Sequence, residues 1–77
     1  MEIKYFGEIA EKTNKNNETI NLDKESLFEL ISFLENEYNI LIKDIQIAVN
    51  HNLVSKDIDI SFNDKDEVAI LSPFAGG

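Results

Sequence analysis

The chain has 77 residues, 43% of them hydrophobic, and a formal net charge of −8. A domain of that size buries roughly 60% of the surface its unfolded chain exposes, which leaves little room for an enclosed active site beside a core. An acidic surface repels phosphate backbones and anionic lipid, so neither nucleic acid nor membrane is an expected partner. There is no cysteine, hence no disulfide, thiolate nucleophile or cysteine metal site.

The composition is that of a folded domain, and its acidity either suits a basic docking face on a partner or simply confers solubility. No apolar run approaches the ~20 residues of a membrane span. The opening MEIKYFGEIAEK lacks the basic start and apolar stretch of a secretory signal, so the cytoplasm is the expected location. Without such a signal, the sequon at Asn17-Glu18-Thr19 is expected to be chance.

EIKYF (2–6) reads as a first strand, with Ile3 and Tyr5 on one side and Glu2, Lys4 and Phe6 on the other. GEIAEKTNKNN connects it to a second strand, ETINL (18–22), with one helical turn expected at its start. SLFELISFLENEY (26–38) is an amphipathic helix: Leu27, Leu30, Ile31, Leu34 and Tyr38 share one face, and Phe28 and Phe33 widen it. Ser26 followed by Glu29 forms a capping box at its start.

IQIAVN (45–50) alternates again, with Ile45, Ile47 and Val49 inward and Gln46, Ala48 and Asn50 outward. NHN (50–52) reads as a turn and LVS (53–55) as a short return strand. DIDISFNDKDE reads as a polar loop around a few apolar pegs, and EVAIL (67–71) as the last strand. Two hairpins flanking one helix make a two-layer α+β domain: a ubiquitin-like β-grasp, with a mixed sheet of four to five strands and the helix across one face. By analogy with that fold, the last strand lies centrally, beside the first and parallel to it. The division expected is a domain over 1–71 and a tail over 72–77.

The outward side of a sheet covered on one face should be polar. Here it presents Phe6, Ala48, Ala69 and Leu71, and Leu53 extends the group. An apolar patch with an acidic rim on so small a chain reads as a protein-binding face. The alternatives are ordinary surface apolar residues or a cover formed by the 7–17 connection.

The tail, SPFAGG, has its own physics. Proline lacks an N–H and cannot continue a sheet ladder, so Pro73 ends the strand. Six extended residues reach at most about 20 Å, enough to enter a cleft on another protein. Phe74 suits an apolar pocket; Ala75, Gly76 and Gly77 suit a narrow channel. A terminal carboxylate is ionised at neutral pH and is a poor acyl donor until activated. With no phosphate-cradling loop and no nucleophile–base pair, the chain is not expected to be catalytic alone; another protein must activate it.

AVNHNLVSKD (48–57), DKDEVAILSPFAGG (64–77) and IKYFGEIAE (3–11) resemble, in order along the whole chain, the MoaD family, the small subunit of molybdopterin synthase. The resemblance implies a sulfur carrier with no bound cofactor. An E1-like adenylating enzyme would use ATP to join AMP to the Gly77 carboxylate. A sulfurtransferase system would then replace AMP with sulfur, leaving a thiocarboxylate. The tail would enter the large subunit of molybdopterin synthase and donate sulfur to cyclic pyranopterin monophosphate. Phe6, Leu53 and Leu71 match the positions by which the family docks its partners. Ser72 departs from the two prolines common before the tail, and the DIDISFNDKDE loop lacks a glycine common in that turn.

Other readings give other tests. A sulfur carrier for thiamin thiazole synthesis, tRNA thiolation or a tungsten cofactor would differ in its partner. A protein modifier would form isopeptide bonds with lysines, and an inert β-grasp module would not need its Gly-Gly. No metal site is expected: an EF-hand starting at Asp57 would need Gly and Glu where Phe62 and Val68 stand. His51, the sole histidine, reads as an exposed turn residue.

Overall fold

Alternating side chains put Ile3 and Tyr5 of strand β1 (Glu2–Tyr5) on the inner side, 0% and 2% exposed. The computed structural model describes residues 1–22 and 25–73. Gly7 then reverses the chain at φ 57°, ψ −130°, a combination open only to a residue without Cβ. Helix α1 (Glu8–Thr13) follows, longer than the single turn expected, anchored by buried Ile9 and Thr13. Strand β2 (Asn17–Thr19) pairs antiparallel with β1. It starts and ends earlier than the alternation of 18–22 suggested. Ile20 N–H still donates to the Met1 carbonyl, and Ile20 is buried.

Helix α2 (Leu27–Tyr38) begins where sequence placed it. Ser26 is extended, and its hydroxyl accepts from Glu29 N–H at 3.3 Å, supplying one of the orphan donors of the first turn. Leu27, Leu30 and Leu34 are 0% exposed; fully burying each contributes roughly 1.5–3 kcal/mol. Phe28, expected to widen the apolar face, is instead 46% exposed. The helix closes on Asn39 in the left-handed conformation (φ 59°), a role glycine or asparagine fills at helix ends. Ile40 beyond it returns to the core. A 3-10 turn at Ile42–Asp44, not legible in the sequence, leads to strand β3 (Gln46–Val49).

Asn50 (φ 51°) and His51 (φ 72°) form the two-residue turn to strand β4 (Asn52–Leu53). Both residues have positive φ, as a type I′ hairpin requires. The return strand is shorter than 53–55, although Val54 N–H still donates to the Ile47 carbonyl. The loop that follows is pegged by Ile60 and Phe62: Leu27 N–H donates to the Ile60 carbonyl, and Phe62 N–H to that of Glu25. Asp66 accepts from Asn63 N–H and from the Asn50 side chain, closing the turn into strand β5 (Glu67–Leu71).

The sheet order is β2-β1-β5-β3-β4. The last strand is central, parallel to β1 and antiparallel to β3. With α2 across one face, this is the ubiquitin-like β-grasp.

One polar cluster fastens the helical side. Tyr5 and Tyr38 hydroxyls both donate to Glu18 Oε2, at 2.6 and 2.5 Å, and Lys15 Nζ reaches Glu18 Oε1 at 3.2 Å. Burial disfavours the charged form of Glu18, but hydrogen bonds from Tyr38, Tyr5 and Lys15 outweigh it and hold its carboxyl below the ordinary value of 4.5. Burial, and then Glu18, push the Tyr5 hydroxyl well up. A depressed folded pKa stabilises the fold above the unfolded value, and that contribution is lost as pH falls through the folded one. Glu18→Gln should therefore be less stable than the parent in urea at neutral pH, with the gap narrowing as pH falls below the ordinary carboxyl value. A gap that stays constant would mean that the charge of Glu18 contributes nothing.

Candidate functional site at the base of the tail

The outer face of the sheet is built by register. Lys4 pairs with Ala69, Ala69 with Ala48, and Ala48 with Leu53, so one row crosses four strands. Phe6 lies past the end of β1, yet its N–H donates to the Ile70 carbonyl at 3.1 Å. That bond extends the β1–β5 ladder by one rung, and Phe6 and Leu71 line the same groove.

The groove holds about 380 Å³ and is lined by Phe6, Ala48, Leu53, Ala69 and Leu71, with Lys4, His51 and Glu67 at its polar side. The five apolar positions singled out in the sequence thus come together. Ala48 points outward by register but is only 8% exposed, because a methyl group sits below its larger neighbours. Phe6 and Leu53 stand proud at 45% and 67%. The floor is low, and the walls are bulky and apolar.

Three lining residues were not assigned a role from sequence. Lys4 and Glu67 share the outward parity of Phe6 and Leu71, so the period of two carried the signal. Their side chains approach at 3.4 Å, an exposed pair worth little in stability. His51 joins them because the tight hairpin turns it toward the sheet face; nothing in the sequence marked it beyond the turn itself. The 7–17 connection, folded as α1, leaves the groove open.

The chain leaves β5 at Leu71, on the groove wall. Ser72 is buried and Pro73 exposed. Phe74, Ala75, Gly76 and Gly77, the remaining tail residues singled out, lie outside the described residues. Among the described residues, no three His, Asp or Glu side chains converge as metal ligands, and no helix is long and apolar enough to cross a membrane.

Residues 3–77 match the model of the ThiS family. The chain belongs to the ThiS family. The match runs from β1 through the groove-lining strands to the last glycine. A relative in Dictyostelium discoideum, named molybdopterin synthase sulfur carrier subunit, is 33% identical over 82 residues, covering 100% of this chain and 95% of its own. Among solved structures, SAMP1 from Haloferax volcanii superposes with a TM-score of 0.75 at 18% identity, over 99% of this chain and 97% of its own. The complex of subunits 1 and 2 of molybdopterin-converting factor from Helicobacter pylori contains a chain matching with a TM-score of 0.71 at 24% identity, over 99% and 96%. These likenesses are to the MoaD/ThiS sulfur-carrier type and its ubiquitin-like relatives.

Proposed function

We propose that this protein is a sulfur carrier of the MoaD/ThiS type, serving as the small subunit of a molybdopterin synthase. Gly77 is the residue that carries sulfur. An adenylating enzyme activates its carboxylate with ATP, a sulfurtransferase system converts the adenylate to a thiocarboxylate, and the large synthase subunit receives the tail. Gly76 and Ala75 give narrow passage, Phe74 anchors the segment, and Pro73 ends the strand so that the segment departs from the sheet. Phe6, Leu53 and Leu71, over the low floor of Ala48 and Ala69, dock the partners.

The observation that carries this reading is the groove: the one sheet face that ought to be polar is apolar, and the last strand delivers the tail from its wall. The relative named as a sulfur carrier subunit and the complex of subunits 1 and 2 of molybdopterin-converting factor support the pathway and the large-subunit partner. Because the family and fold are shared with thiazole carriers and with protein modifiers, partner choice is the decisive test. Immobilised full-length protein should retain a molybdopterin synthase large subunit and pass over a thiazole synthase; retention of the thiazole synthase alone would reassign the pathway. Lysine-linked conjugates of higher mass in cells would instead favour a modifier.

Phe6→Ser or Leu71→Ser should weaken large-subunit binding by about tenfold or more. Phe6→Ser should cost less than about 1 kcal/mol in urea denaturation, since its side chain is already 45% exposed. Unfolding by Phe6→Ser, or unchanged binding, would remove the groove from the docking surface.

A further inference from the structure

The groove wall that Leu53 forms stands on little backbone. Strand β4 has two residues and is an edge of the sheet. Its pairs are Ala48 with Leu53 and Val49 with Asn52. Leu53 is 67% exposed, so its own burial does little to hold it. The turn before it adds a cost. Asn50 and His51 have φ of 51° and 72°, a region that disfavours most residues with a Cβ and that asparagine tolerates. Two paired residues behind such a turn are too few to fix a wall by themselves.

Asn50 supplies what is missing. In an antiparallel ladder the two residues of a hydrogen-bonded pair exchange bonds, each N–H donating to the other's carbonyl. The β3–β5 register reaches Val49 with Val68, which makes Asn50 and Glu67 the next pair. Asn50 N–H donates to the Glu67 carbonyl at 2.8 Å. The return bond takes another route. The backbone has turned into the hairpin, and the Asn50 carbonyl accepts from the Asn52 side chain at 3.2 Å. Glu67 N–H donates instead to Asn50 Oδ1, at 3.0 Å. The other end of the amide is used as well. Nδ2 donates to Asp66 Oδ1 at 2.9 Å, and Asp66 Oδ2 accepts from Asn63 N–H at 2.9 Å. One short side chain thus completes the ladder and ties the hairpin to the turn that starts β5. It must offer an acceptor and a donor at a positive-φ position. Asparagine meets that demand, whereas aspartate lacks the donor and glycine lacks both.

We infer that Asn50 is a positioning residue for partner docking. It does not line the groove. By clamping the β3–β4 turn to the start of β5, it holds Leu53 and His51 in place before a partner arrives. A wall set in advance need not be ordered during binding, so less of the contact energy is lost. This role rests on the groove being the docking face.

Asn50→Gly accepts the positive φ and removes only the clamp. Amide exchange followed by NMR should quicken about tenfold more at Val54, whose N–H donates to the Ile47 carbonyl, than at Tyr5, whose N–H donates to that of Asn16. Affinity of the full-length protein for a molybdopterin synthase large subunit should fall about fivefold. In a Leu53→Ser background the same change should cost less than about twofold, because the wall it positions is gone. In a Phe6→Ser background it should keep the full loss. Equal quickening at Val54 and Tyr5, or equal losses in the two backgrounds, would overturn the positioning role and leave Asn50 a residue of general stability. Weaker binding by Phe6→Ser with none by Asn50→Gly would overturn it too, with the docking face still standing. Unchanged binding by both would overturn the role and the docking face together.

Discussion

Deleting Gly76 and Gly77 should abolish sulfur transfer completely and leave the folded domain almost untouched. Among the described residues, the hydrophobic core runs from Met1 to Ile70, and the last buried position is Ser72. No core side chain is removed by the deletion, so stability should change by less than about 0.5 kcal/mol, or roughly 2–4 °C in melting temperature. Activity has no such reserve. If Gly77 bears the acyl group, its loss removes the atom to which AMP and then sulfur are joined, and no neighbouring side chain can substitute. Transfer measured with the cognate activating enzyme and large subunit checks this, beside a melting curve of the same sample. An inert β-grasp module would give the opposite result, with function retained after the deletion.

Leu34→Ala should destabilise the domain by about 2–5 kcal/mol. Leu34 is 0% exposed in the last turns of α2, packed in one cluster with β-strand residues including Ile3 and Val68. A domain of this length has a total stability of only about 4–12 kcal/mol, so the variant should melt roughly 10–25 °C lower. Phe28→Ala on the same helix removes a larger side chain but should cost less than about 1 kcal/mol, because that ring is 46% exposed. Urea denaturation of the two variants side by side tests the burial assignment. Equal losses would mean that Phe28 belongs to the core.

The sequence was most informative where one period dominated. The leucines of α2 share a helical face without interruption, and the alternation in β1, β3 and β5 separates Ile3, Ile47 and Ile70 from Phe6, Ala48 and Leu71. Once those parities are known, the apolar outer face follows by arithmetic. Strand ends were less legible because pairing, not alternation, ends a strand. Residues 20–22 still alternate, yet past the Glu2–Thr19 pair only Met1 remains, and Ile20 alone reaches it. β4 ends at Leu53 although Val54 N–H still reaches the Ile47 carbonyl. Phe28 was misplaced because its position on the helix wheel borders the apolar face, and only the path of the 55–60 loop decides whether it is covered. Glu18, Tyr5 and Tyr38 come from three separate elements, so no local spacing could announce their cluster. His51 entered the groove through a positive-φ turn that asparagine and histidine tolerate but do not advertise.

The fold and the family are settled by the sheet order and by the match over residues 3–77. The chemistry rests on one atom group, and intact-mass spectrometry reads it directly. The full-length protein is incubated with its activating enzyme, ATP and a sulfur donor. The account predicts a single mass increase equal to the difference between one sulfur and one oxygen atom, located by fragmentation at Gly77. An unchanged mass, with an activating enzyme shown to be active on another carrier, would contradict it.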